Sequence, residues 1–129
     1  MKVFLVASAL VLSATAASAA DPSSFQNTCS NIWFHYTDDG GAEIVATCLT
    51  ADGMPKETSI AMPGIGNKDG SLVMEGGSAS FQKSCGSIML HPSIDGVELT
   101  ASCRKVDGSF EEASISIDGI SNENGTLSN

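Results

Sequence analysis

The stretch Ser24-Phe25-Gln26-Asn27-Thr28-Cys29 returns as Ser80-Phe81-Gln82-Lys83-Ser84-Cys85, and this internal duplication constrains the fold more than any other feature of the chain. Phe25 to His35 aligns with Phe81 to His91 at a constant offset of 56, which pairs Cys29 with Cys85, Ile32 with Ile88 and His35 with His91. One residue is gained in the first copy around Gly40-Gly41, and the offset becomes 55. Cys48 then meets Cys103, Asp52-Gly53 meets Asp107-Gly108, and Asn67-Lys68-Asp69-Gly70 meets Asn122-Glu123-Asn124-Gly125. Repeat one runs over about 24–78 and repeat two over about 79–129. A unit of roughly 50 residues is marginal without disulfides or a partner, and two units packed together remove that weakness. Two copies are too few for a solenoid, which needs at least three units.

Residues 1–20 stand outside the repeat. Lys2 precedes the apolar run 3–12, small residues follow to Ala20, and Ala17-Ser18-Ala19 fits a signal-peptidase site. Residues 1–20 therefore read as a signal peptide and 21–129 as one secreted, extracellular domain. The apolar run is shorter than the roughly 20 residues of a membrane span, so no membrane insertion is expected. The chain carries 6 Lys plus Arg against 15 Asp plus Glu, a formal charge of -9 that becomes -10 once Lys2 leaves with the leader. Such a balance repels phosphate backbones and argues against nucleic acid as a partner.

All four cysteines, Cys29, Cys48, Cys85 and Cys103, lie in the mature part, where an oxidising compartment and an even count favour two disulfides. No CxxC pair is present, so neither a zinc site nor a redox motif is expected. Three pairings are possible, and repeat symmetry does not choose, since each maps onto itself when the copies are exchanged. The local pairing, Cys29 with Cys48 and Cys85 with Cys103, is the simplest; in the chain-entropy model each such bridge contributes about 3 kcal/mol.

Local patterning points to β structure. The runs 43–50, 59–62, 98–103 and 113–117 are short and rich in β-branched or apolar residues, with partial alternation. Between the runs stand Asp39-Gly40, Asp52-Gly53, Asp69-Gly70, Asp95-Gly96, Asp107-Gly108, Asp118-Gly119 and Asn124-Gly125, dipeptides that tolerate the positive φ of tight hairpin turns. A helical turn is expected only near 24–29 and 80–85, each opened by a serine. His35 and His91 occupy matching positions in apolar runs, which predicts paired structural roles rather than a metal site. Of Trp33 and Phe34, at least one is expected in the core.

Taken as an ordered set in duplicate, Phe25-Gln26-Asn27-Thr28-Cys29, then Cys48 with its polar turn, Ser59-Ile60 and Asn67-Lys68-Asp69-Gly70-Ser71-Leu72, resembles the cyanovirin-N family of secreted lectins over about residues 24–128. The resemblance implies local disulfides and an all-β fold. It implies two pseudosymmetric, intertwined halves, each a three-stranded sheet plus a β-hairpin exchanged between the repeats. High-mannose glycans or glycoproteins are the implied partners, bound without a metal or cofactor and without catalysis, by a monomer or a domain-swapped dimer.

By position, the resemblance implies an end site of Asn27, Thr28, Thr50, Ala51, Asp52, Asn122, Glu123 and Asn124. It implies a middle site of Asn67, Lys68, Asp69, Ser80, Lys83, Ser84, Arg104, Lys105, Val106 and Asp107. Amides, carboxylates and hydroxyls of this kind can meet several sugar hydroxyls at once. The same Asx residues also serve as ordinary turn formers, a bland role that stands beside the functional one. The second copy reads Asn124 where the first has Asp69, which removes a charge-assisted acceptor, and Leu49 follows Cys48 where a polar residue would enrich the end site. Arg104 and Lys105 either reach Asp69 or neutralise an acidic surface. The end site is therefore expected to be the weaker. A secreted non-catalytic interaction module or inhibitor that has lost sugar binding is the alternative function, and an enzyme is disfavoured because no GxSxG-type nucleophile elbow is present.

Overall fold

The computed structural model describes residues 21–129, and the leader expected over 1–20 lies outside them. Strands β1 (Cys29–Tyr36), β2 (Ala42–Leu49) and β3 (Pro55–Ala61) form one antiparallel sheet in that order. A hairpin of β4 (Ile65–Lys68) and β5 (Ser71–Met74) follows. Repeat two builds the same pieces: a sheet of β6 (Cys85–Ser93), β7 (Gly96–Arg104) and β8 (Phe110–Ile117), then a hairpin of β9 (Ser121–Glu123) and β10 (Thr126–Ser128). The only helices among the described residues are the 3-10 turns Phe25–Asn27 and Phe81–Lys83. The fold is all-β, two pseudosymmetric halves from a tandem repeat.

Alternation decides what each strand buries. In β2, Ile44, Ala46 and Cys48 face inward, and in β7 Val97, Leu99, Ala101 and Cys103 do the same. Strand β1 must break its alternation to join them. Its register shifts between Ser30 and Trp33, with Asn31 at φ 51, and β6 shifts identically between Gly86 and Met89, with Ser87 at φ 50. Each bulge inserts one residue and so returns Ile32 and Phe34, or Ile88 and Leu90, to the core side that Cys29 or Cys85 already faces. The bridges Cys29–Cys48 and Cys85–Cys103 join strand neighbours directly opposite each other, which is the local pairing.

The same alternation turns Trp33, His35 and His91 outward. Phe34 packs against the core and lies 6.0 Å, centroid to centroid, from Phe81 of the other repeat, while Trp33 is exposed. His35 Nδ1 sits 3.0 Å from Glu43 Oε1, and His91 Nε2 sits 2.8 Å from Thr100 Oγ1. Both histidines thus hold cross-strand polar pairs on open sheet faces.

One core serves both halves. Phe25 and Phe81, each 0% exposed, plug it from the two 3-10 turns. Neither Ser24 nor Ser80 caps its turn with a side chain, contrary to the role their position suggested. Their backbone N–H groups instead reach the starts of the two hairpins, donating to the carbonyls of Ile120 and Ile65 at 2.9 Å each. The hairpins are exchanged: β4–β5 packs against β8 of repeat two, and β9–β10 packs against β3 of repeat one. Leu127 N donates to Thr58 Oγ1 at 3.1 Å and Lys56 Nζ donates to Thr126 Oγ1 at 3.0 Å across the second of these contacts.

Candidate functional site

Each exchanged hairpin ends in a two-residue turn pressed onto the opposite repeat. Asp69 and Gly70 have φ of 49 and 90, and Asn124 and Gly125 have φ of 53 and 90, the doubly left-handed turn that matches the twist of a hairpin. Glycine is required at the second place on two counts. Its φ is positive, and a Cβ there would meet Lys105 Cγ at 2.8 Å or Thr50 Cγ2 at 2.9 Å.

The same hydrogen-bond knot secures both turns. Asn67 Nδ2 donates to Ser84 Oγ at 2.8 Å and to the Arg104 carbonyl at 2.9 Å, while its Oδ1 accepts from Gly70 N at 2.8 Å. Asn122 Nδ2 donates to Thr28 Oγ1 and to the Leu49 carbonyl, both at 2.9 Å, and its Oδ1 accepts from Gly125 N at 2.7 Å. Both amide hydrogens of each asparagine are committed, so these side chains brace the turn rather than offer donors to a ligand. Asp69 Oδ1 accepts from Val106 N at 2.8 Å, and Asn124 Oδ1 accepts from Ala51 N at 2.7 Å.

What each knot leaves open differs. At Asp69 the second carboxylate oxygen has no protein partner among the described residues, so a charged acceptor faces solvent. At Asn124 the group left open is Nδ2, a neutral donor. The surroundings diverge further. Lys83, Ser84, Cys85, Gly86, Arg104 and Phe110 line a depression of about 450 Å³ beside the Asp69 turn. The corresponding positions in the other half include Asn27, Thr28, Leu49 and Pro55. Phe110, 59% exposed, lies opposite Arg104 across β7 and β8, with the guanidinium carbon 5.8 Å from the ring centroid.

The alternatives left open for the cations are resolved by these contacts. Arg104 stacks on Phe110, Lys105 Nζ lies 3.7 Å from Glu111 Oε1, and Asp69 takes a backbone amide instead of either. Asp107 shapes the neighbouring turn, its Oδ1 accepting from Ser109 Oγ at 2.6 Å and from Ser109 N at 2.9 Å. The Ser109 hydroxyl, helped by the Ser109 amide, holds the Asp107 carboxyl below the usual aspartate range.

Hydrogen bonds thus join Asn67, Asp69, Ser84, Arg104 and Val106 directly, with Lys83 in the adjoining depression, Lys68 at the end of β4, and Lys105 and Asp107 in the loop after β7. Ser80 enters by backbone alone, through Ile65. In the other half, Thr28, Ala51, Asn122 and Asn124 are joined, and Thr50 Oγ1 accepts from Met54 N at 3.1 Å within its own turn. Asn27 and Asp52 are exposed beside them, and Glu123 bonds back to Ser121 Oγ at 3.0 Å. Phe110 was not singled out from the sequence; the signal was the mismatch of Phe110 with Pro55 in the aligned repeats. Among the described residues no group of three or more His, Cys, Asp or Glu could hold a metal ion.

The profile of the CVNH domain matches residues 25–128. No curated protein matches the chain. Among solved structures, microvirin in complex with mannobiose is 31% identical, with 83% of this chain and 97% of that chain covered at a TM-score of 0.59. The CVNH protein of T. borchii is likewise 31% identical, covering 81% of this chain and 97% of its own at a TM-score of 0.61. A MoCVNH3 variant in complex with (N-GlcNAc)4 shares the fold at 18% identity, covering 86% and 99% at a TM-score of 0.60. With the profile spanning nearly all of the described residues and the exchanged hairpins in place, the chain belongs to the cyanovirin-N homolog family.

Proposed function

We propose that the protein is a secreted, non-catalytic lectin for mannose-rich glycans, and that the middle site around Asp69 supplies most of its affinity. Carbohydrate binding as such follows from family membership and from lectin neighbours. The choice of mannose is favoured by the greater identity to microvirin, solved with mannobiose, than to the MoCVNH3 variant, solved with a GlcNAc tetramer. The observation that carries the choice of site is the open oxygen of Asp69 beside the depression of Lys83, Ser84, Arg104 and Phe110.

A carboxylate oxygen can accept from two adjacent sugar hydroxyls, and a charged acceptor makes roughly twice as strong a bond as a neutral one. The Arg104 and Lys83 donors can meet hydroxyl and ring oxygens, and the exposed Phe110 ring offers a face to the apolar side of a pyranose. The end site, with Leu49 and Pro55 in place of Arg104 and Phe110, has fewer such groups.

A glycan array on the secreted protein tests the reading, with oligomannosides and GlcNAc oligomers side by side. Signal confined to mannose-terminated glycans and unchanged by EDTA is expected. Signal on GlcNAc oligomers alone would replace the ligand, and a blank array would favour the non-sugar interaction module. Phe110→Ala should weaken oligomannoside binding severalfold.

A further inference from the structure

We infer that Asn124 is an N-glycosylation site whose glycan covers the end site and leaves one open site per chain. Asn124-Gly125-Thr126 is the sole Asn-x-Ser/Thr triplet in the sequence, an acceptor pattern for a chain that enters a secretory pathway. Geometry adds what the triplet alone does not carry. Asn124 is exposed at the tip of the β9–β10 turn, its Oδ1 is held by the Ala51 amide at 2.7 Å, and its Nδ2 has no protein partner among the described residues. That nitrogen is the atom on which the glycosyl bond forms.

The transfer balances without disturbing the knot. Nδ2 displaces a lipid pyrophosphate from the anomeric carbon of a lipid-linked oligosaccharide. The C–N bond forms, the anomeric C–O bond breaks, and the amide gives up one proton. Oδ1 and one N–H remain, so the bond to Ala51 survives and the modified residue keeps the backbone at φ 53. A glycan leaving from this atom rises from the same surface as Thr28, Ala51 and Asn122, where a ligand of the end site would have to lie. Asp69, held in the equivalent knot, has no amide to modify. The modification stands apart from sugar recognition; its effect on valence rests on the lectin reading.

The test is to produce the full chain, leader included, in a yeast secretory host and to weigh the secreted protein before and after a peptide amidase that cleaves the Asn–glycan bond. A mass excess is expected in the native sequence and in Thr126→Ser, and none in Asn124→Gln or Thr126→Val. The amidase puts water across the C–N bond and leaves an aspartate at that position, the counterpart of Asp69. Titration calorimetry with a small oligomannoside should then show a second binding event that the glycosylated protein lacks, and the unglycosylated Thr126→Val, which keeps the amide of Asn124, should show it as well. Secreted protein at its unmodified mass, or an excess that persists in Asn124→Gln, overturns the assignment. A mass excess with identical stoichiometry before and after the amidase overturns the covering of the end site. A mass excess with no oligomannoside binding in either form removes the lectin reading and the covering with it, and supports the modified Asn124.

Discussion

The Asp69 and Asn124 turns share a backbone, a glycine and every internal hydrogen bond, yet one presents an anionic oxygen to solvent and the other an amide. The common part is what the fold needs, because each turn pins an exchanged hairpin to the opposite repeat. The part that differs carries no structural duty and is free to change between the copies. Residue identity at such a turn therefore has to be divided atom by atom before a role is assigned: Oδ1 braces the turn, and the atom beside it is left open to solvent.

The strongest perturbation should reveal no difference at all. Replacing Cys29 and Cys48 by alanine, or Cys85 and Cys103, removes a bridge of nearly equal loop length and should cost about 3 kcal/mol in either repeat. Urea unfolding of the two variants measures both values, and a large inequality would mean that the halves do not bear on stability alike. Next in size, Asp69→Asn should lower oligomannoside affinity by roughly 2 kcal/mol, the scale of a hydrogen bond to a charged group, with unfolding free energy unchanged. The reverse exchange, Asn124→Asp, should strengthen the end site. Calorimetry on both proteins checks the pair; unchanged affinity in Asp69→Asn would place the dominant site elsewhere. Alanine in place of asparagine confuses the measurement, because it also strips Val106 or Ala51 of its acceptor.

Asn67→Ala and Asn122→Ala should each cost about 1.5 kcal/mol of stability, equally, by freeing one hairpin from the opposite repeat. Thermal unfolding of the two variants decides that equality. The smallest effect concerns acid. Because the Ser109 hydroxyl lowers the Asp107 carboxyl, its stabilisation of the turn is complete above the ordinary aspartate range and is lost only as pH falls through the depressed value. Middle-site affinity should therefore be flat from pH 7 to 5 as far as Asp107 is concerned, and Asp107→Asn should leave that profile flat while weakening the turn slightly.

Much of the architecture was legible because the chain states it twice. Cysteine spacing, Asx-Gly turns and aligned apolar runs marked the sheets and hairpins, and the duplication promised a shared core. Three things were not legible. The bulges at Asn31 and Ser87 carry no shared signature, since the positive φ that each needs is taken by an Asn in one copy and a Ser in the other, with no glycine to mark it. Ser24 and Ser80 looked like caps, but their neighbours Phe25 and Phe81 are buried and the amides of the two serines are claimed by Ile120 and Ile65. Finally, Asn67 and Asp69 looked alike as turn residues with sugar-binding chemistry. Only the folded contacts separate Asn67, whose donors are consumed, from Asp69, which keeps an oxygen in reserve.

The hairpin exchange also bears on ancestry. A lone repeat would send its hairpin away from its own sheet and would lack a sheet to receive it, so it could be completed only by a second copy lending its hairpin in return. Such a pair is a two-fold dimer, and its stability would rise and fall with protein concentration. Joining the two copies end to end turns that association into a unimolecular event. From then on, dilution no longer opposes folding, and the two lobes, encoded by separate stretches of one gene, can diverge one residue at a time.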